Sequence, residues 1–348
     1  MRVKILPFLL FAAGISFVDA RIWTDVNGRE IEADLVSADT DIATLKKAEK
    51  EFKFPIAKLS ESDRAYVKEW MENDGDVADS EKDDDTTGAK KDSPTPPKPS
   101  PESLQFDGQE LKTGGYANVY SYDYNAETVE MLKKKLKHDD TGYKLGIAVP
   151  NDFDPSKPQK VFVVSTAVNN EAEGRNGNLG KMGMYAKHAI NKGWICISCD
   201  SNNGYPKNTT AIEWCFNKLN QVWPNCKTWQ YATGGFSGGS KSCFGPCAYL
   251  LKNKYPTLGV FMAGCNEDAS QGHRETYKNG KSDYKKLRIF LSTGDKDGLV
   301  KNEQTAGVIA SLKSNGMKNI RSEVFDGGHS MNKEHFEQAL DWFVTGDK

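Results

Sequence analysis

Polar and apolar positions change their period several times along this chain. Residues 143–149 alternate and stop at Pro150, 161–164 form an unbroken apolar run, and 194–198 and 258–263 are two more. Short runs of this kind predict strands, and 231–233, 288–292 and 319–325 complete the set. Between them the period lengthens to that of a helix, over 182–191, 210–222, 241–251, 303–314 and 333–343. Strand alternating with helix predicts an α/β architecture, a mostly parallel sheet covered on both faces, and a span of roughly 240 residues suits one such domain.

The N-terminal part reads differently. Residues 21–29 form a strand and turn, and 31–36 and 42–45 alternate, so short strands at close spacing predict a small all-β barrel over 21–71. From 72 to 103 an acidic run through Asp83-Asp84-Asp85 gives way to Ser93-Pro94-Thr95-Pro96-Pro97-Lys98-Pro99-Ser100-Pro101. Charge repulsion and polyproline geometry make this an extended linker. In residues 1–20, Arg2 and Lys4 precede an apolar stretch that ends at Val18-Asp19-Ala20, the pattern of a secretory signal peptide. About fourteen apolar residues are too few to span a membrane, so the expectation is an exported protein, secreted or held in the cell envelope, with no transmembrane segment after cleavage. The catalytic part would then be 104–348.

Composition adds exclusions. With 46 basic and 48 acidic side chains, the net charge of −2 gives no reason to expect nucleic acid. The basic cluster Lys133-Lys134-Lys135 with Lys137 reads as a solvated helix face. The sequence has no P-loop, no G-x-G-x-x-G after a strand and no H-E-x-x-H, and neither cofactor nor metal is expected. All seven cysteines lie beyond residue 190. Cys196 and Cys199, three apart on a strand, should face opposite ways, and Cys243 and Cys247 should share a buried helix face. Cys215 and Cys226, around a helix end, are the expected local disulfide.

The candidate chemistry centres on Gly235-Phe236-Ser237-Gly238-Gly239, between a predicted strand and a predicted helix. A serine hydroxyl is a weak nucleophile; a sharp strand-to-helix turn exposes it to a base and to the next backbone amide. Such a turn needs glycine two places to either side, where a side chain would collide. Alone, the motif arises by chance in roughly one chain in six of this composition. The other members decide it. Strand 288–292 runs into Thr293-Gly294-Asp295-Lys296-Asp297, and strand 319–325 into Asp326-Gly327-Gly328-His329. Each candidate follows the C-terminal end of a strand, where open parallel sheets place their ligands.

On these motifs, residues from about 104 to 346 resemble the α/β-hydrolase superfamily, in particular its secreted esterase, polyester-depolymerase and prolyl-oligopeptidase-like branches. The resemblance implies Ser237 as nucleophile, His329 as base and Asp297 as the acid that orients it, with Asp295 left as a turn residue. It implies an oxyanion hole from the Gly238 amide and a second amide, at Thr166 or Ala167. The family's His-Gly after its third strand is missing here, where 161–164 is followed by Ser165-Thr166-Ala167. In the N-terminal part, Trp23-Thr24-Asp25, Gly28-Arg29, Glu32-Ala33, the run from Phe54 to Ser60, Asp63 and Tyr66 resemble the SH3-like Sla homology domain, which implies a peptide or envelope partner. Trp23 and Tyr66 read first as core.

Four other histidines are candidates by type only: His138 in a polar turn, His188 and His335 on helices, and His273 in the polar excursion 266–283. That excursion follows a strand at the active edge, so Glu267 or Asp268 could serve there as a polar contact or a displaced acid. The resulting expectation is an exported serine hydrolase acting on a small-molecule or polymer ester. A serine peptidase of prolyl-oligopeptidase type and a non-catalytic hydrolase-fold binding protein are the alternatives, separable by activated esters, peptidyl amides and ligand retention after Ser237→Ala.

Overall fold

The computed structural model describes residues 21–26, 29–38, 41–47, 50–60, 63–64, 67, 104–115, 117–137, 139–166, 178–202 and 209–346. The expected signal peptide, the expected linker, Tyr66, His138 and Ala167 lie outside them. The chain divides into two compact units, Met1–Pro97 and Lys98–Lys348.

In the first unit, β1 (Arg21–Thr24), β2 (Glu30–Ala38), β3 (Ile42–Lys47) and β4 (Lys50–Pro55) form an antiparallel sheet in that order. One further bridge joins Asp25 to Leu59. Alternation puts Ala33, Leu35, Ala43 and Leu45 on one face, where they bury Trp23, Leu59 and Val67. The Trp23 indole donates to the Ala33 carbonyl at 2.8 Å, which satisfies its only polar atom inside the core. Asp63 reaches back to the end of β1 and accepts from the Thr24 amide at 2.7 Å.

The second unit opens with a hairpin of β5 (Gln105–Phe106) and β6 (Gln109–Glu110). Then follow β7 (Asn118–Asp123), α1 (Ala126–Met131), β8 (Gly142–Ala148), β9 (Lys160–Ser165), α2 (Gly183–Asn191) and β10 (Ile195–Ser201). The elements α3 (Thr209–Val222), β11 (Gln230–Phe236), α4 (Gly238–Ser242), α5 (Phe244–Lys252) and β12 (Thr257–Ala263) lead to the middle of the sheet. The chain closes with α6 (Ser270–Thr276), β13 (Arg288–Gly294), α7 (Asn302–Ser314), β14 (Asn319–Phe325) and α8 (Lys333–Thr345).

Eight strands make one sheet in the order β14-β13-β12-β11-β9-β10-β8-β7. Strand β8 pairs antiparallel with both its neighbours; the other pairings are parallel. This large, mostly parallel sheet with helices on both faces fits the expected α/β-hydrolase fold. Strand alternation sorts the core into layers. Phe162, Val164, Cys196, Phe261 and Phe290 pack on one face with α2 and α8, while their sequence neighbours Val163, Ile197, Val260 and Leu291 pack on the other with α3 and α7. Cys196 and Cys199 fall on opposite faces for the same reason, and Cys243 and Cys247 share one buried cluster.

The structure differs from the sequence reading in several places. The helix expected over 241–251 is two helices, broken at Cys243, with Pro246 in the first turn of α5, where a proline's missing N–H costs nothing. The excursion 266–283 carries a helix of its own, α6. Cys215 and Cys226 are not bonded, and all seven thiols are free and buried. The Cys226 thiol donates instead to Asn220 Oδ1 at 3.0 Å, while that of Cys215 points to the Lys144 carbonyl at 3.5 Å.

Candidate active site

Ser237 stands between β11 and α4 with φ 57° and ψ −122°. A side-chain-bearing residue is rare there and the conformation costs about 1–3 kcal/mol, so the surroundings must hold it. Its amide does part of that work by donating to the Ala263 carbonyl at 2.8 Å. The flanking glycines do the rest sterically. A Cβ on Gly235 would lie 2.3 Å from the Ser165 carbonyl oxygen, and one on Gly239 would lie 2.3 Å from that same oxygen and 2.8 Å from Thr166 Cα. Backbone crosses backbone at both points, so neither position admits a side chain.

Three of the expected side chains meet here. His329 Nδ1 is 2.7 Å from Asp297 Oδ2, and Nε2 is 2.9 Å from Ser237 Oγ. A carboxylate only accepts, so Nδ1 carries the proton and Nε2 is left to accept from the serine hydroxyl. The Asp297 side chain is 1% exposed. Burial opposes its ionisation, but the His329 hydrogen bond and the amides of Leu299 and Val300 outweigh burial and hold the carboxyl below its ordinary value. Those amides reach Oδ1 at 2.8 and 2.9 Å and leave Oδ2 for the imidazole. A buried anion so placed orients the ring and stabilises the imidazolium that forms when the base takes a proton.

Asp295 lies outside this group. It accepts from the Gly327 amide at 2.9 Å, and the Lys296 amide donates to the Gly327 carbonyl at 2.9 Å, so the turn after β13 holds the loop that carries His329. Glu267 pairs with Lys241 at 3.0 Å on the surface. Asp268 accepts from Ser311 at 2.7 Å and Asn315 at 3.0 Å and fastens the end of α7, so neither serves as a second acid. His188 pairs with Glu337 at 2.8 Å, and His335 Nδ1 meets Ser292 Oγ at 2.9 Å. Burial lowers the pKa of His273, which packs beside Gly245.

The backbone that should complete an oxyanion site is partly committed. The Thr166 amide donates to Asn178 Oδ1 at 2.8 Å, which takes this donor away from a substrate oxygen. Of the two amides expected after β9, that leaves Ala167, outside the described residues. A cavity of about 10 Å³ beside Ser165, Asn178 and Ser242 has room for about one water and not for a substrate.

Two parts of the site were not read from the sequence. The Phe236 ring packs on the His329 imidazole at a centroid distance of 4.7 Å, and a Cβ on Gly264 would lie 2.9 Å from His329 Cε1. Phe236 is the variable position of the motif, and only the strand-to-helix turn itself could have pointed to it.

No family model matches the chain, and no curated relative matches it. Among solved structures it is similar to S-formylglutathione hydrolase FrmB from Staphylococcus aureus, at 14% identity and TM-score 0.43 over 68% of this chain and 99% of that one. It is also similar to esterase 2 of Thermogutta terrifontis phosphorylated by paraoxon, at 12% identity and TM-score 0.42 over 66% and 92%. A cold-adapted esterase from an Arctic intertidal metagenomic library matches at 10% identity and TM-score 0.44 over 69% and 97%. The functional reading rests on the site's own geometry.

Proposed function

We propose that this chain is an exported serine hydrolase that cleaves a carboxylic ester through an acyl-enzyme. One observation carries the reading: a serine on a strained turn, 2.9 Å from an imidazole whose other nitrogen is 2.7 Å from a buried carboxylate. Ser237 Oγ bonds to the acyl carbon while its proton passes to His329 Nε2, and the imidazolium then gives that proton to the departing alcohol. Water, deprotonated by the same nitrogen, releases the acid and restores the serine. Negative charge on the carbonyl oxygen would be met by the Gly238 amide and by a second amide, that of Ala167. Export is supported by the charged, apolar and small residues in order from Arg2 to Ala20. The N-terminal sheet is read as an SH3-like domain for a peptide or envelope partner, joined by an extended linker over 72–103.

A fluorophosphonate probe tests the chemistry. The secreted protein should label rapidly and hydrolyse p-nitrophenyl acetate, and Ser237→Ala and His329→Ala should abolish both. A folded parent that does neither overturns the hydrolase reading and leaves the binding-protein alternative.

A further inference from the structure

Strands β9 and β10 run side by side until Val164 pairs with Ser198, and beyond that point they part. The gap falls beside the nucleophile turn, and it leaves the Thr166 amide and the Cys199 carbonyl without each other. One side chain fills it. Asn178 Oδ1 accepts from the Thr166 amide at 2.8 Å and Asn178 Nδ2 donates to the Cys199 carbonyl at 2.8 Å, so the carboxamide stands where a ladder peptide would. Asn178 is held in turn by Asp200, whose Oδ1 accepts from the Asn178 amide at 2.8 Å and whose Oδ2 accepts from the Leu179 amide at 2.7 Å. Asp200 is 1% exposed. Placing a carboxyl there is costly unless its hydrogen bonds are kept, so the arrangement is specific rather than incidental.

The Thr166 carbonyl, in the next peptide along, is tied to the nucleophile helix. Ser242 Oγ, in α4, donates to the Thr166 carbonyl at 2.9 Å. The Ser165 carbonyl and Thr166 Cα are the atoms against which Gly239 packs. A continuous path of hydrogen bonds therefore runs from Asp200 through Asn178 and Thr166 to the helix that begins at the residue after Ser237.

We propose that Asp200 and Asn178 are positioning residues for the Ser237 site, fixing the Ser165–Thr166 backbone against the nucleophile turn. The proposal rests on the hydrolase reading and names residues whose polar atoms are spent on backbone groups. Their removal lets the Thr166 peptide drift, and a misplacement of about 1 Å at such a site costs on the order of 100-fold in rate. The effect belongs in the chemical step, because the ground-state ester is not held by these groups.

The test compares the full chain with Asn178→Ala, Ser242→Ala, the double variant and Asp200→Asn, by p-nitrophenyl acetate kinetics, fluorophosphonate labelling rate and thermal unfolding. The expected result for each single variant is a fall of roughly 10- to 100-fold in kcat and labelling rate with KM within about threefold. Because Asn178 and Ser242 hold one residue, Thr166, by its amide and by its carbonyl, the double variant should lose little more than the worse single one. Ser242→Ala deletes one partly buried hydroxyl and keeps the test open if Asn178→Ala does not fold. Variants that lose melting temperature but keep kcat within about twofold overturn the proposal, as do effects in Asn178→Ala and Ser242→Ala that multiply independently. A parent that neither labels nor hydrolyses overturns the hydrolase reading itself, which a normal parent with unaffected variants does not.

Discussion

Phe236 lays its ring on the imidazole of His329, with centroids 4.7 Å apart and planes inclined by 45°. Gly264 backs the same ring, since a Cβ there would lie 2.9 Å from His329 Cε1 and 3.0 Å from Phe236 Cε2. The imidazole is thus held by two hydrogen bonds in its plane and by packing on its face. A face contact of this kind is worth about 0.5–1.5 kcal/mol beyond area. Phe236→Ala should lower kcat for a short ester about tenfold, with KM little changed and the fold intact, while Phe236→Leu should recover most of the loss. Equal activity of the alanine variant and the parent would remove any orienting role for the ring.

Gly264→Ala attacks that arrangement from the other side. Gly264 has φ +55°, where an L-residue costs about 1–2 kcal/mol, and the added methyl would press on His329. The methyl meets a side-chain ring rather than backbone, so activity should suffer more than stability. The expectation is a fall of about 100-fold in fluorophosphonate labelling with a melting temperature lowered by only a few degrees. A large loss of stability at unchanged labelling would show that the backbone, and not the base, absorbs the methyl.

Much of this was legible in the sequence, and the remainder was hidden for physical reasons. The run 161–164 names a strand because it is buried on both faces, and the three strands leading to Ser237, Asp297 and His329 could be read together with their order. Edge strand β7, Asn118–Asp123, escaped notice because its polar residues break the apolar run, and α6 because its sequence SQGHRET is polar throughout. Asn178 and Asp200 lie 22 residues apart and meet only in three dimensions, although an aspartate inside the buried run ICISCDS was an available signal. Thr166 carried the opposite lesson: its position after β9 made it an expected oxyanion donor, and a side chain twelve residues on takes its amide.

Gly239→Ala should act on folding rather than on chemistry alone. The new Cβ would meet the Ser165 carbonyl oxygen at 2.3 Å, and that oxygen belongs to a central strand with no freedom to retreat. Overpacking against backbone costs about 1–3 kcal/mol, so the melting temperature should fall by several degrees together with all labelling. A variant of parental stability would mean that the crossing of β9 and α4 is looser than the structure has it.

The cysteines give a test that needs no activity. With all seven thiols free and buried, the native protein should react slowly with a thiol reagent, and the unfolded protein should expose seven thiols. A reductant should leave the melting temperature unchanged, because no bridge between Cys215 and Cys226 constrains the unfolded chain. Five titratable thiols after unfolding would restore the disulfide.

Asp200 predicts how stability varies with pH. Burial pushes its carboxyl up to about 7, opposed by the amides of Asn178 and Leu179 and by the charge of Lys144. The unfolded chain releases this proton near the ordinary value of about 3.9. Between the two values the folded state holds a proton that the unfolded state has lost, so this contribution is fully present below about pH 3.9 and lost as pH rises through about 7. His273 and His335, both lowered first by burial, act in the opposite sense: the unfolded chain takes their protons first on acidification, so they add stability as pH rises toward their ordinary value. The parent's profile therefore mixes opposed slopes, and a comparison with Asp200→Asn separates them. The variant carries a constant loss from an acceptor that can no longer serve both amides, but it lacks the titration. Its melting temperature should rise relative to the parent's from pH 4 to pH 7.5. A difference that stays flat would mean that Asp200 does not titrate in this range, as it would if the two amides held the carboxylate ionised.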